Sequence, residues 1–214
     1  VLSATVNRTN ITCFGSTDGT ITITNPLGGY GTYEYSINGG GSWQASGSFT
    51  SLAPGTYNIR IRDAAHTGCV IVLNNALAIT QPPVLNAVVT PTMVTCNGAN
   101  DGIISITGPA GGYGTYEYTI NGGTSWQASG LFNGLAPGSY DVRIRDAANT
   151  ACVIVLNSSL TMTEPPVMNA NVASVNVTCF GANDGKITIT SPTGGYGTYE
   201  YSNNGGSTWQ ATGN

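Results

Sequence analysis

Charge is scarce in this 214-residue chain. Only 7% of its residues are Asp, Glu, Lys or Arg, where about a quarter is usual for a soluble domain. Six basic residues cannot build the phosphate-neutralising patch that nucleic-acid binding requires. They are equally too few for a polybasic membrane surface. No apolar run approaches the roughly 18 residues of a membrane-spanning helix, so no membrane insertion is expected in this segment. No stretch carries a sustained 3.6-residue apolar period, which excludes appreciable helix. Cys-x-x-Cys pairs, a Gly-Lys-Ser/Thr phosphate loop and an Asp-x-Asp-x-Asp calcium loop are all missing. The chain has no initiator Met and stops in mid-pattern, so a longer protein is expected.

What is present is repetition. Cys13, Cys96 and Cys179 stand 83 residues apart, as do Cys69 and Cys152. Pro82-Pro83 recurs as Pro165-Pro166. This spacing divides the chain into residues 1–83, 84–166 and a partial copy, 167–214. Solenoid units of about 20–50 residues cannot stand alone, whereas 83 residues can bury a small core. Independent tandem domains are therefore expected.

Within one copy, short β-rich runs alternate with Gly, Asn and Pro signals, the pattern of an all-β sandwich. The first strand lies within Leu2–Thr12 and ends before a turn carrying Asp18-Gly19. Ile21 and Ile23 alternate in the next. Tyr33, Tyr35 and Ile37 should face one way, with Glu34 and Ser36 on the other. Tyr57, Ile59 and Ile61 should face inward, and Asn58, Arg60 and Arg62 outward. Arg60 and Glu34 are expected to meet as a cross-strand surface pair. Val70-Ile71-Val72-Leu73 does not alternate, so both its faces are expected to be covered.

Two local motifs add structural candidates. Leu52-Ala53-Pro54-Gly55-Thr56-Tyr57 resembles the tyrosine corner of immunoglobulin-like and fibronectin III-like sandwiches, and Leu135–Tyr140 repeats it. Ser36–Trp43 resembles an Asp-box hairpin with Asn38 in place of Asp; Thr119–Trp126 and Ser202–Trp209 repeat it. Tyr57, Tyr140, Trp43, Trp126 and Trp209 are thus read as structural. Asn203 replaces Ile37 and Ile120 and would need partners if buried. Fold class is accordingly all-β, a tandem of immunoglobulin-like or fibronectin III-like sandwiches in an elongated rod.

Site chemistry is thin. The one His, His66, has Asn149 as its counterpart, and a repeat-borne catalytic base cannot be absent from one copy. Asp18, Asp101 and Asp184 sit in turns; Asp63 and Asp146 follow the Arg pairs. All are read as turn chemistry. One Lys, Lys186, removes a repeat-wide isopeptide crosslink. Tyr30, Tyr33, Tyr35 and Trp43 are candidates for a carbohydrate-stacking platform, but Tyr33 and Tyr35 alternate as core. No catalytic, cofactor or metal residue is therefore expected, and no enzyme activity.

Cysteine is the strongest chemical signal. Cys13, Cys69, Cys96, Cys152 and Cys179 at strict repeat spacing argue for disulfides and an oxidising, extracellular setting. Two pairings stand open. Small domains usually close their own bridges, which would join Cys13 to Cys69 and Cys96 to Cys152. In an immunoglobulin-like order, however, those cysteines lie at opposite poles, about 25 Å apart by strand length, beyond disulfide reach. Head-to-tail repeats would instead join Cys13 to Cys152, with Cys69 and Cys96 reaching to repeats on either side.

Thr12-Cys13-Phe14-Gly15 through Asp18-Gly19, Gly28-Gly29, Tyr33–Ser36, Leu52–Tyr57, Arg62-Asp63-Ala64 and Cys69 together resemble the SprB repeat. The likeness recurs in the second copy and continues into the third. It implies a very large, secreted surface protein of the kind found in gliding Bacteroidetes, whose name-giving member is a mobile filamentous adhesin exported by the type IX system. The expectation is a structural stalk or spacer at the cell surface, with a role in adhesion or gliding. Its partners would be neighbouring repeats, other copies in a filament, or surface polysaccharide. The alternatives are a repeated carbohydrate-binding module and the accessory stalk of a secreted enzyme.

Overall fold

The computed structural model describes all residues, Val1–Asn214, and contains no helix. The first copy has six strands: β1 (Ser3–Thr9), β2 (Gly19–Leu27), β3 (Tyr33–Ser36), β4 (Ser48–Leu52), β5 (Gly55–Asp63) and β6 (Val70–Ile79). They form two antiparallel sheets, ordered β1-β2-β4 and β3-β5-β6. In immunoglobulin lettering these are A-B-E and C-F-G, the two layers of an immunoglobulin-like sandwich. The second copy repeats both sheets with β7 (Asn86–Thr92), β8 (Gly102–Ala110) and β10 (Leu131–Leu135), and with β9 (Tyr116–Thr119), β11 (Gly138–Asp146) and β12 (Val153–Met162). The third contributes the pair β13 (Asn169–Val175) and β14 (Lys186–Thr193).

Period-2 alternation builds the core. Ile21 and Ile23 of β2 point to one side of their sheet; Tyr35 of β3, Ile59 and Ile61 of β5 and Ile79 of β6 answer from the other. Leu2 and Ile11 complete the cluster. Ile11, Ile21, Ile59 and Ile61 are wholly buried. Each such side chain contributes about 1.5–3 kcal/mol relative to an exposed one. In the third copy Ile187, the counterpart of Ile21, is 48% exposed, because β13 and β14 have no facing sheet within these residues. Asn203 is exposed there and needs no buried partner.

Packing divides the chain into two compact units. One comprises Val1–Val88, Thr107–Ala128 and Val142–Leu156; the other comprises Val89–Ile106, Ser129–Asp141 and Asn157–Asn214. Every hydrogen-bonded sheet nevertheless draws its strands from a single 83-residue copy.

Three details differ from expectation. Val70–Leu73 is not covered on both faces: β6 is an edge strand, and Val70, Ile71 and Val72 are 36%, 37% and 48% exposed. Its apolar composition reflects a β-prone edge and not a buried one. Glu34 pairs with Arg62 instead of Arg60, because the register sets Glu34 directly opposite Arg62; Arg60 turns to Asn58. Ser36 is buried, since its hydroxyl receives the amides of Asn38 and Gly40 and ties down the hairpin that follows.

Candidate functional site

The residues with most chemistry gather at two sites per copy, at the two ends of β6. The first loop lies between β1 and β2 and carries Cys13. Asp18 closes it, accepting from the Thr12 amide at 3.1 Å and from the Thr12 hydroxyl. Asp101 holds Thr95 in the same way, and Asp184 holds Thr178. The Thr hydroxyl bond, followed by the Thr amide bond, holds each of these carboxyls below 3.8, its ordinary value. Gly15 N donates to Gln81 Oε1 at 2.9 Å, which pins the loop to the segment after β6; Gly98 N and Glu164 do the same at 2.6 Å.

The second site is a pair of loops at the other end of β6, Gly28–Gly31 and Ala64–Cys69. Asp63, almost wholly buried, joins them. One carboxylate oxygen accepts from the Tyr30 amide, the other from the amides of Ala65 and His66 at 2.9 and 3.3 Å. The Tyr30 amide is the main reason that the Asp63 carboxyl lies below its ordinary value. Asp146 repeats the arrangement with Tyr113, Ala148 and Asn149. Gly112 has φ +56°, and a Cβ there would strike Asp146 Oδ2 and come within 2.8 Å of Leu85 Cδ2.

These two kinds of loop meet. Cys13 and Cys152 form a disulfide with Cα atoms 5.3 Å apart. Cys152 Sγ lies 3.2 Å from the Thr12 carbonyl oxygen, and Gly112 N donates to Pro83 O at 2.9 Å. Thr12, Cys13, Phe14, Pro82 and Pro83 line one side of a cleft, and Gly112, Cys152, Val153 and Ile154 the other. Cysteine pairing is thereby decided for two of the five. The bridge within one copy is excluded by the sandwich itself: Ile11 N bonds Thr80 O just past one end of β6, while Cys69 precedes the other. Ten residues of strand separate those ends by about 33 Å. Cys69, Cys96 and Cys179 are free, exposed thiols, the arrangement that head-to-tail pairing leaves within these residues.

By fold order and by this repeated loop architecture the chain can be compared with known proteins. The SprB repeat matches residues 5–42, 88–125 and 171–208, together more than half of the chain. The chain belongs to the SprB repeat family. Each match runs from the first strand through the Asn hairpin, so the disulfide's second cysteine lies outside the matched segment of a SprB repeat. No curated protein matches this chain. Among solved structures, the three N-terminal domains of the bacteriophage RB49 Highly Immunogenic Outer Capsid protein (Hoc) are similar at 13% identity and a TM-score of 0.40, covering 89% of this chain and 70% of that one. The SprB repeat is a structural repeat family associated with surface or extracellular proteins.

The remaining singled-out residues sit as follows. The Tyr57 hydroxyl donates to Ala53 O, and Tyr140 to Ala136 O, both at 2.8 Å. Trp43 Nε1 donates to Gly40 O, and the Arg62 guanidinium lies over the Trp43 ring at 4.4 Å while holding Glu34 at 2.6 Å. Trp126, Arg145 and Glu117 repeat this stack. Trp209 keeps the hairpin but is exposed. The stacked Trp ring and the buried Tyr35 leave Tyr30, packed on His66 at 4.2 Å, as the open aromatic of the first copy's candidate carbohydrate platform. Sequence reasoning missed the Arg62–Trp43 stack and the joining role of Asp63. Both depend on register and loop closure.

Proposed function

We propose that this chain is a stalk or spacer segment of a large secreted surface adhesin or extracellular filament, with domain limits at 83/84 and 166/167. The observation that carries this reading is the Cys13–Cys152 bond, which joins one SprB repeat to the next across 139 residues of sequence. Tension entering at Cys13 passes directly to Cys152, so the intervening strands and their hydrogen bonds are spared the load. A protein that must transmit force from a surface has use for such a bridge; an enzyme site or a ligand pocket does not require it. The bridge also fits an oxidising, extracellular location.

The test is immunogold labelling of intact cells with antibodies to this chain, paired with deletion of its gene. Surface label in extended arrays and loss of attachment or surface movement are expected. Label confined to the cell interior would overturn the reading.

A further inference from the structure

We infer that the exposed face around Cys69 is a seat for the Thr-Cys-x-Gly loop of another SprB repeat, and that a disulfide to that loop's cysteine closes it. The warrant is the same face 83 residues on. There the seat is occupied: Cys152 is only 7% exposed, Gly111, Gly112 and Asn149 are half-buried, and the Thr12–Gly15 loop and Pro82-Pro83 lie against them. In the first copy the same backbone is built and equally braced, with Asp63 holding the Tyr30, Ala65 and His66 amides. Yet Gly28, Gly29, His66 and Cys69 are all exposed, and Tyr30 is 74% exposed against 51% for Tyr113. One seat is covered and its twin is bare; their loops differ in sequence only at His66/Asn149 and Gly68/Ala151, and a plug loop fills one of them.

The matching plug exists preformed. Thr95-Cys96-Asn97-Gly98 and Thr178-Cys179-Phe180-Gly181 have the same Thr–Asp closure as the Cys13 loop, and both carry exposed thiols. The closure therefore does not depend on the bond, and little ordering is left to do at docking. In the closing step two thiols each give up a proton and together two electrons to a disulfide oxidant, which leaves as two thiols. The partner of Cys69 is thus the first cysteine of a repeat placed ahead of it, and Cys96 and Cys179 serve repeats placed after. This inference rests on SprB repeat membership and not on the adhesin reading, which a free Cys69 beside an intact Cys13–Cys152 bond would leave standing.

The experiment adds a copy of residues 84–166 ahead of Val1, which recreates a Pro-Pro-Val junction. The chain is refolded in a glutathione redox buffer at low concentration, alkylated without reduction and mapped by peptide mass. The expected result is a Cys69 peptide joined to the added copy's Thr-Cys-Asn-Gly peptide. Three alkylated thiols are then expected, the same number as in the 214-residue chain, although two cysteines were added. Recovery of the Cys13–Cys152 peptide reports that the chain has folded. An alkylated Cys69 beside an intact Cys13–Cys152 bond would overturn the inference, as would Cys69 joined to any other cysteine or to a second copy. Absence of the Cys13–Cys152 peptide would overturn it too, because that bond is its template.

Discussion

The aspartates at the loops work as ionised acceptors of backbone and hydroxyl donors. Asp18, Asp101, Asp184 and Asp63 all have carboxyls held below 3.8, their ordinary value, by these bonds. A depressed folded-state value means that folding favours the ionised form. Its contribution is therefore fully present above about pH 5 and is lost as pH falls through the folded-state values. Urea denaturation between pH 7 and pH 2 should show a flat midpoint that declines below pH 4, and Asp63→Asn should blunt the decline. A smaller effect is expected of Tyr57→Phe, which removes one hydroxyl bond to Ala53 O. It should cost about 1 kcal/mol by the same measurement, with the fold retained.

At the scale of elements, edge and centre of one sheet should respond differently. Ile61 lies at 0% exposure in the central strand β5, and Ile71 is its cross-strand neighbour in the edge strand β6. Ile61→Ala should cost about 2–5 kcal/mol, from lost burial and the cavity left behind. Val72→Thr, on the exposed edge, should stay within about 0.5 kcal/mol. Chemical denaturation of the two variants in parallel checks the contrast. The tandem sandwich order was legible from alternating Ile and Tyr positions and from the turn residues between them. Strand β4 was not: in Ser48–Leu52 the two apolar residues, Phe49 and Leu52, stand three apart and break the period-2 pattern, and its pairing to β2 shifts register beside Ser51, which has φ +56°. Such a strand is recruited by its neighbours and shows little pattern of its own.

For the molecule as a whole the bond from Cys13 to Cys152 dominates. Closing a loop of this length contributes up to about 5 kcal/mol in the chain-entropy model, and removing a native bridge typically costs about 2–5 kcal/mol. Cys13→Ser, and mild reduction of the native chain, should therefore lower stability by a similar amount in equilibrium unfolding. Pulled from its ends in a force experiment, the oxidised chain should withhold the length of the 139-residue loop. Reduction should release a further extension of roughly 490 Å, at about 3.5 Å per residue. Equal extensions before and after reduction would show that the bond is not carrying the force.

The 83-residue period, the all-β class and the family were determined by sequence alone, because each follows from residue type and spacing. Partner choice among the cysteines was not. The 83-residue period allows a bridge within a copy as readily as a bridge to the next, and only the sandwich, by holding Cys13 and Cys69 at opposite ends of β6, forbids the first. The Arg62–Glu34 pairing was hidden for a related reason: Arg60 and Arg62 share one face of β5, and the choice between them is made by the register of β3 against β5. Local patterns set what a segment prefers to be; which groups finally touch is decided by how distant segments are brought together.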